Sequence, residues 1–241
     1  MERRIAWGEV FHDPVGFAAE TARVCAVGYS AAMGESRKLW IPGPAGKLEA
    51  ELRGTANPEA IAVVAHPHPQ HGGTMHNSVI FHCARELNRA GWATLRFNFR
   101  GVEGSEGQHD GAREDDDLDA AAVWLRGVYA DRPLHLVGFS FGATCALRVG
   151  VNDDTVAGIV AIGLATQYYD YAETARMTKP FAVVQGENDE LADLEKVRGL
   201  VARAQGELHV IPETGHLFRG KTRDAAHKVV EAARGMLSRA G

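Results

Sequence analysis

Ser140 stands between a compact apolar run, Leu134-His135-Leu136-Val137, and a segment, Ala143–Val149, that begins with small residues and continues with apolar ones at helical spacing. The run reads as a buried strand and the segment as a helix, so the serine falls on the turn between them. Glycine flanks it two residues away on each side, in Gly138-Phe139-Ser140-Phe141-Gly142. This is the pattern of a nucleophile elbow: a strained turn that projects a hydroxyl into open space, with glycines letting strand and helix approach without a Cβ clash. The chemistry such a serine does is attack on a carbonyl carbon.

A serine hydroxyl is a poor nucleophile until a base takes its proton, and the base needs an acid to orient it. On a sheet that carries such an elbow, the acid follows a later strand and the base follows the last one. Gly186-Glu187-Asn188-Asp189-Glu190 lies directly after the apolar run Phe181-Ala182-Val183-Val184, and Glu213-Thr214-Gly215-His216 lies after Leu208-His209-Val210-Ile211. Ser140, Asp189 and His216 therefore stand in the required order. Glu187 and Glu190 compete for the acid's place, and Asp189 also suits a helix cap. His209 reads as a strand residue and His227 as a solvated helix residue.

An oxyanion needs two N–H donors. One is Phe141, just after the serine. The other comes from the loop after an earlier strand, His66-Pro67-His68-Pro69-Gln70-His71-Gly72-Gly73-Thr74-Met75. Proline has no N–H, which leaves His68 and Gln70, with His68 favoured. The crowding of His66, His68, His71 and His76 raises metal binding as a rival, since His-rich tracts bind metals. No Asp, Glu or Cys interleaves at a familiar ligand spacing, so no metal site and no cofactor is expected, and His66 reads as a structural residue at a strand end.

The elements that must position these groups follow in order. Lys38–Gly43 and Lys47–Leu52 read as two strands about a turn through Gly43-Pro44-Ala45-Gly46. Ile61–His66 is a continuous apolar run, Ser78–Arg89 a helix closed by Gly91, and Ala93–Phe99 a strand. A glycine-rich loop leads to the acidic helix start Glu114-Asp115-Asp116-Asp117 and on to Tyr129. After the elbow come strands at Val156–Ile162, Phe181–Gly186 and Leu208–Ile211, and helices at Leu191–Ala204 and Thr222–Leu237. Strands alternating with helices mean a mostly parallel sheet covered on both faces, an α/β fold.

With 241 residues, 45% of them hydrophobic, the chain has enough for one sizeable domain, expected over 33–241. Residues 1–32 read as an extension, either poorly ordered or upstream sequence translated from an early assigned start. The net charge of −5, with no basic patch, argues against nucleic acid and anionic membranes as partners. Cys25, Cys83 and Cys145 form no disulfide framework. With no transmembrane run and no convincing signal peptide, a cytoplasmic location is expected.

From about Met33 onward the chain resembles the α/β-hydrolases, and among them the small, nearly lidless bacterial serine hydrolases related to the dienelactone hydrolase branch. The most specific marks are His66-Pro67-His68-Pro69 with Gly72-Gly73-Thr74-Met75-His76-Asn77, then Arg96-Phe97-Asn98-Phe99-Arg100-Gly101-Val102 with Gly104-Ser105-Glu106-Gly107, and the elbow itself. Dienelactone hydrolases carry a cysteine as nucleophile where this chain has Ser140, and Arg113 stands where the family has glycine. The resemblance implies a carboxylic ester hydrolase with a short segment, Ala165–Lys179, in place of a lid. Leu217-Phe218 is expected to form an apolar wall, and Tyr168, Tyr169 and Tyr171 either line the site or pack loop surface. The expected partner is a small-molecule ester; a homodimer is open. The same three residues would also serve a thioesterase, an amidase or an acyltransferase, and a non-catalytic binding module on the same scaffold is the remaining alternative.

Overall fold

The computed structural model describes residues 36–240. The segment 1–32 lies outside them. Eight strands form one sheet: β1 (Ser36–Gly43), β2 (Gly46–Arg53), β3 (Ile61–Ala65), β4 (Ala93–Phe97), β5 (Leu134–Phe139), β6 (Val156–Ile162), β7 (Phe181–Gly186) and β8 (Glu207–Ile211). Five helices accompany them: α1 (Ser78–Arg89), α2 (Glu114–Val128), α3 (Phe141–Asn152), α4 (Leu194–Arg203) and α5 (Thr222–Ala240).

The strand order is β1-β2-β4-β3-β5-β6-β7-β8. β1 and β2 form an antiparallel hairpin in which Gly43 pairs with Gly46, and β2 runs antiparallel to β4. Every later pairing is parallel. The central strands have no polar face: all residues of β3 and β5 are buried. Sheets of this kind need cover on both sides. α2, α3 and α4 build one core, with Trp124, Phe97 and Leu136 in it. α1 and α5 build the other, with Trp92, Phe139 and Phe218.

Local chemistry sets the boundaries. Asn77 caps α1, its side chain accepting from the Val79 N–H at 2.9 Å, and Asp193 caps α4 by accepting from Glu195 and Lys196. The four acids that open α2 sit at the positive end of its dipole. Most expected boundaries hold to within two or three residues, and two of the shifts have a clear local cause. β4 ends at Phe97 rather than Phe99, because the Phe99 N–H is taken by His66 Nε2 at 3.1 Å. α4 begins at Leu194 rather than Leu191, because the Leu191 N–H is held by the Asp189 carboxylate at 2.9 Å. No helix among the described residues is long and apolar enough to cross a membrane.

Candidate active site

Ser140 joins β5 to α3 with φ +55° and ψ −111°, a conformation that side-chain-bearing residues seldom adopt. The flanking glycines permit the turn. A Cβ on Gly138 would lie 2.1 Å from the Gly142 carbonyl oxygen, and one on Gly142 would lie 2.4 Å from that of Ala65. Any side chain at either position meets backbone.

The parallel sheet then delivers the partners. Asp189 follows β7 and His216 follows β8, and both reach back toward the end of β5. His216 Nε2 lies 2.9 Å from Ser140 Oγ, and its Nδ1 lies 2.9 and 3.1 Å from the two carboxylate oxygens of Asp189. With Nδ1–H donated to the acid, Nε2 presents a lone pair to the serine hydroxyl. The three side chains form one hydrogen-bonded line, and all are buried. Phe139 braces the imidazole from beneath, with ring centroids 5.3 Å apart.

The competing acids have other duties. Glu187 accepts the Glu213 N–H at 3.0 Å, and Glu190 accepts the N–H of His216 itself at 3.0 Å. That backbone bond holds the Glu190 carboxyl below its ordinary range. Asp193, not Asp189, caps the helix that follows.

The N–H groups of Phe141 and His68 have no protein acceptor among the described residues, whereas the Gln70 N–H is donated to His68 Nδ1 at 3.2 Å. Of the two donors left in that loop by the prolines, His68 is therefore the free one. The other histidines separate. His66 is buried at the end of β3, donating from Nδ1 to the Pro67 carbonyl at 2.7 Å and accepting from Phe99 at Nε2. Burial pushes its pKa down to about 4. His76 is exposed beside Glu103. Among the described residues no three His, Cys, Asp or Glu side chains are arranged to hold a metal ion.

The expected apolar wall divides. Phe218, with φ +50°, turns inward and is fully buried against Phe139, while Leu217 stays exposed. The tyrosines divide too. Tyr171 is buried, its hydroxyl accepting the Ala165 N–H at 3.1 Å beside Thr144 Oγ1, and Tyr168 is exposed. Burial pushes the Tyr171 phenol up to about 12. A cleft of about 880 Å³ lies beside Tyr168 and Asp193, but Ser140 and His216 do not line it.

Two features escape the reading from sequence. Gln185, fully buried in β7, donates from Nε2 to Asp189 Oδ2 at 2.5 Å and accepts the Leu164 N–H at 2.8 Å. Its signal was present as the lone amide in the apolar run Phe181–Gly186. The second is His109, which reaches back to the rings of His68 and Phe141; nothing in a glycine-rich loop marks that return.

A hydroxyl–imidazole–carboxylate line at a strand-to-helix turn, at the C-terminal end of a sheet ordered in this way, defines a class, and comparison with known proteins bears on it directly. Residues 58–237 match the family described as alpha/beta hydrolase domain, and the chain belongs to that family. It is similar to an alpha-beta serine hydrolase homologue from Coxiella burnetii, 33% identical with a TM-score of 0.76 over 84% of this chain and 99% of that one. It is also similar to a serine hydrolase from Xanthomonas campestris described as lacking a lid, 32% identical with a TM-score of 0.75 over 83% and 94% of the two chains. A dienelactone hydrolase from Anabaena variabilis, 20% identical with a TM-score of 0.71 over 83% and 97%, shares the fold.

Proposed function

We propose that this chain is a serine hydrolase that cleaves small carboxylic esters through an acyl-enzyme on Ser140. The observation that carries the reading is the 2.9 Å approach of His216 Nε2 to Ser140 Oγ with Asp189 behind the ring. His216 accepts the hydroxyl proton as Oγ attacks the ester carbonyl. Asp189 holds the imidazole and stabilises its cation. The N–H groups of Phe141 and His68 receive the oxyanion. His216 then gives the proton to the departing alcohol, and water, activated by the same ring, releases the acid. No step calls for a cofactor.

The test is labelling by a fluorophosphonate probe, together with turnover of short-chain p-nitrophenyl esters, acyl-CoA and aminoacyl amides. Ester turnover with labelling lost in Ser140→Ala and in His216→Ala is the expected result. Faster turnover of acyl-CoA or amide would move the assignment to a thioesterase or amidase. A folded protein that takes no label would make the fold a binding scaffold.

A further inference from the structure

His68 and His109 face each other beside the elbow. Their ring centroids are 5.0 Å apart, and both rings lie against that of Phe141, at 5.1 and 5.7 Å. Each ring is fixed from the protein side at Nδ1. His68 Nδ1 accepts the Gln70 N–H at 3.2 Å, so the ring proton of neutral His68 is on Nε2. His109 Nδ1 lies 2.7 Å from Glu114 Oε1, too bent for a well-formed hydrogen bond. A bare lone pair would be repelled at that distance, so the proton of a neutral His109 is on Nδ1 and its lone pair at Nε2. Neither Nε2 has a hydrogen-bond partner among the described residues, and neither is sealed from solvent. One donor and one acceptor are thus left open on adjacent rings, next to the residue whose N–H would receive the oxyanion.

The strand order says which part of a substrate meets them. His68 follows β3 and His109 follows β4, on one side of β5; Asp189 and His216 follow β7 and β8, on the other. The base must protonate the departing alcohol, so the alcohol lies toward His216. The oxyanion turns to the N–H groups of Phe141 and His68, and the two histidine rings stand across β5 from the departing alcohol.

We infer that His68 and His109 form an acyl-side subsite for a neutral group that both donates and accepts, a hydroxyl on the acyl chain. This deepens the ester hydrolase reading and rests on it. An unsubstituted alkyl chain would strip water from two imidazole edges and replace none of those hydrogen bonds. An acyl carboxylate would face Glu114, whose carboxyl is buried to 1% exposure. Burial would raise that carboxyl, but the N–H groups of Asp110 and Gly111, which it accepts at 2.9 and 3.2 Å, outweigh it and hold it below its ordinary range. An ammonium would meet the N–H edge of His68. A hydroxyl suits both rings, donating to His109 Nε2 and accepting from His68 Nε2–H.

The experiment compares p-nitrophenyl esters of butyrate, 2-hydroxybutyrate and 3-hydroxybutyrate, read as ratios of kcat/KM within each enzyme. The wild type is expected to favour at least one hydroxyacyl ester by about tenfold. In His109→Phe, which keeps a ring against Phe141, the ratio is expected to fall toward one. In His109→Gln, which retains a donor and an acceptor, part of it should remain; this variant also serves if His109→Phe does not fold. A wild-type ratio near one, or a preference unchanged in either variant, overturns the subsite while leaving the hydrolase reading intact. No turnover of any of the three esters, with no fluorophosphonate labelling, would instead overturn the hydrolase reading and the subsite with it.

Discussion

Asp189 accepts hydrogen bonds from three groups: the ring of His216, the N–H of Leu191 and the amide of Gln185. Gln185 is the informative one, because its orientation is forced. Its carbonyl must face the Leu164 N–H, so its NH₂ must face the carboxylate. It is a positioning residue, holding Oδ2, the carboxylate oxygen that lies 2.9 Å from the imidazole. Replacing Gln185 by Leu removes that donor and leaves the Leu164 N–H buried without a partner. The expected cost is about 1–3 kcal/mol in stability, and a fall in kcat of roughly 10- to 100-fold from a misaligned base. KM for p-nitrophenyl butyrate should change little, because the bonds of Gln185 go to Asp189 and to the Leu164 N–H and it is fully buried. Gln185→Glu is expected to recover part of kcat where its carboxyl is protonated and donates, and to lose that part as rising pH ionises it against Asp189. Equal kcat in wild type and Gln185→Leu would remove Gln185 from the machinery.

A buried ion pair ties the start of the stretch between β4 and α2 to the first turn of α2. Arg100 grips Asp117 with Nε and Nη2 at 2.7–3.0 Å, and its backbone N–H binds the same carboxylate at 2.9 Å. Both side chains are almost wholly buried, 3% and 0% exposed. Removing one member leaves the other charge stranded, which typically costs about 3–5 kcal/mol. Asp117→Ala is therefore expected to lower the unfolding free energy by that amount in urea titrations; a loss below ~1 kcal/mol would mean the loop is held by something else. Such long-range pairings explain what sequence could and could not reveal. Strands and helices were legible because their cause is local: continuous apolar runs, caps such as Asn77, an acidic first turn. Ser140, Asp189 and His216 were legible because sheet topology converts order along the chain into position at one edge. The return of His109 to His68 was not, since it depends on a loop path set by Arg100, Asp117 and Glu114 together. The inward turn of Phe218 was hidden for the same kind of reason: it follows from a positive φ that no residue type there announces.

Across the whole molecule the two cores treat polarity differently from the site, and acid should expose the difference. Two histidines are sealed into the sheet. His66 closes the end of β3, and His135 in β5 packs against Trp92 with ring centroids 4.7 Å apart. Neither ring nitrogen of His135 makes a well-formed hydrogen bond among the described residues. Burial pushes both rings down from 6.5 to about 4, against the smaller opposing pull of the Pro67 and Pro133 carbonyls. In the unfolded chain each imidazole takes up a proton as pH falls through about 6.5. In the folded chain it refuses that proton until about pH 4. Over that window the unfolded state binds more protons, so stability is full above pH 6.5, declines as pH falls and has lost this contribution entirely below about 4. The loss is on the order of 3 kcal/mol for each ring. Urea midpoints measured between pH 7 and pH 4 should fall accordingly. His135→Leu keeps an apolar side chain of similar size and cannot titrate, so its midpoint should fall less steeply than that of the wild type. Parallel slopes for the two proteins would mean that the buried ring in β5 contributes nothing to the acid response.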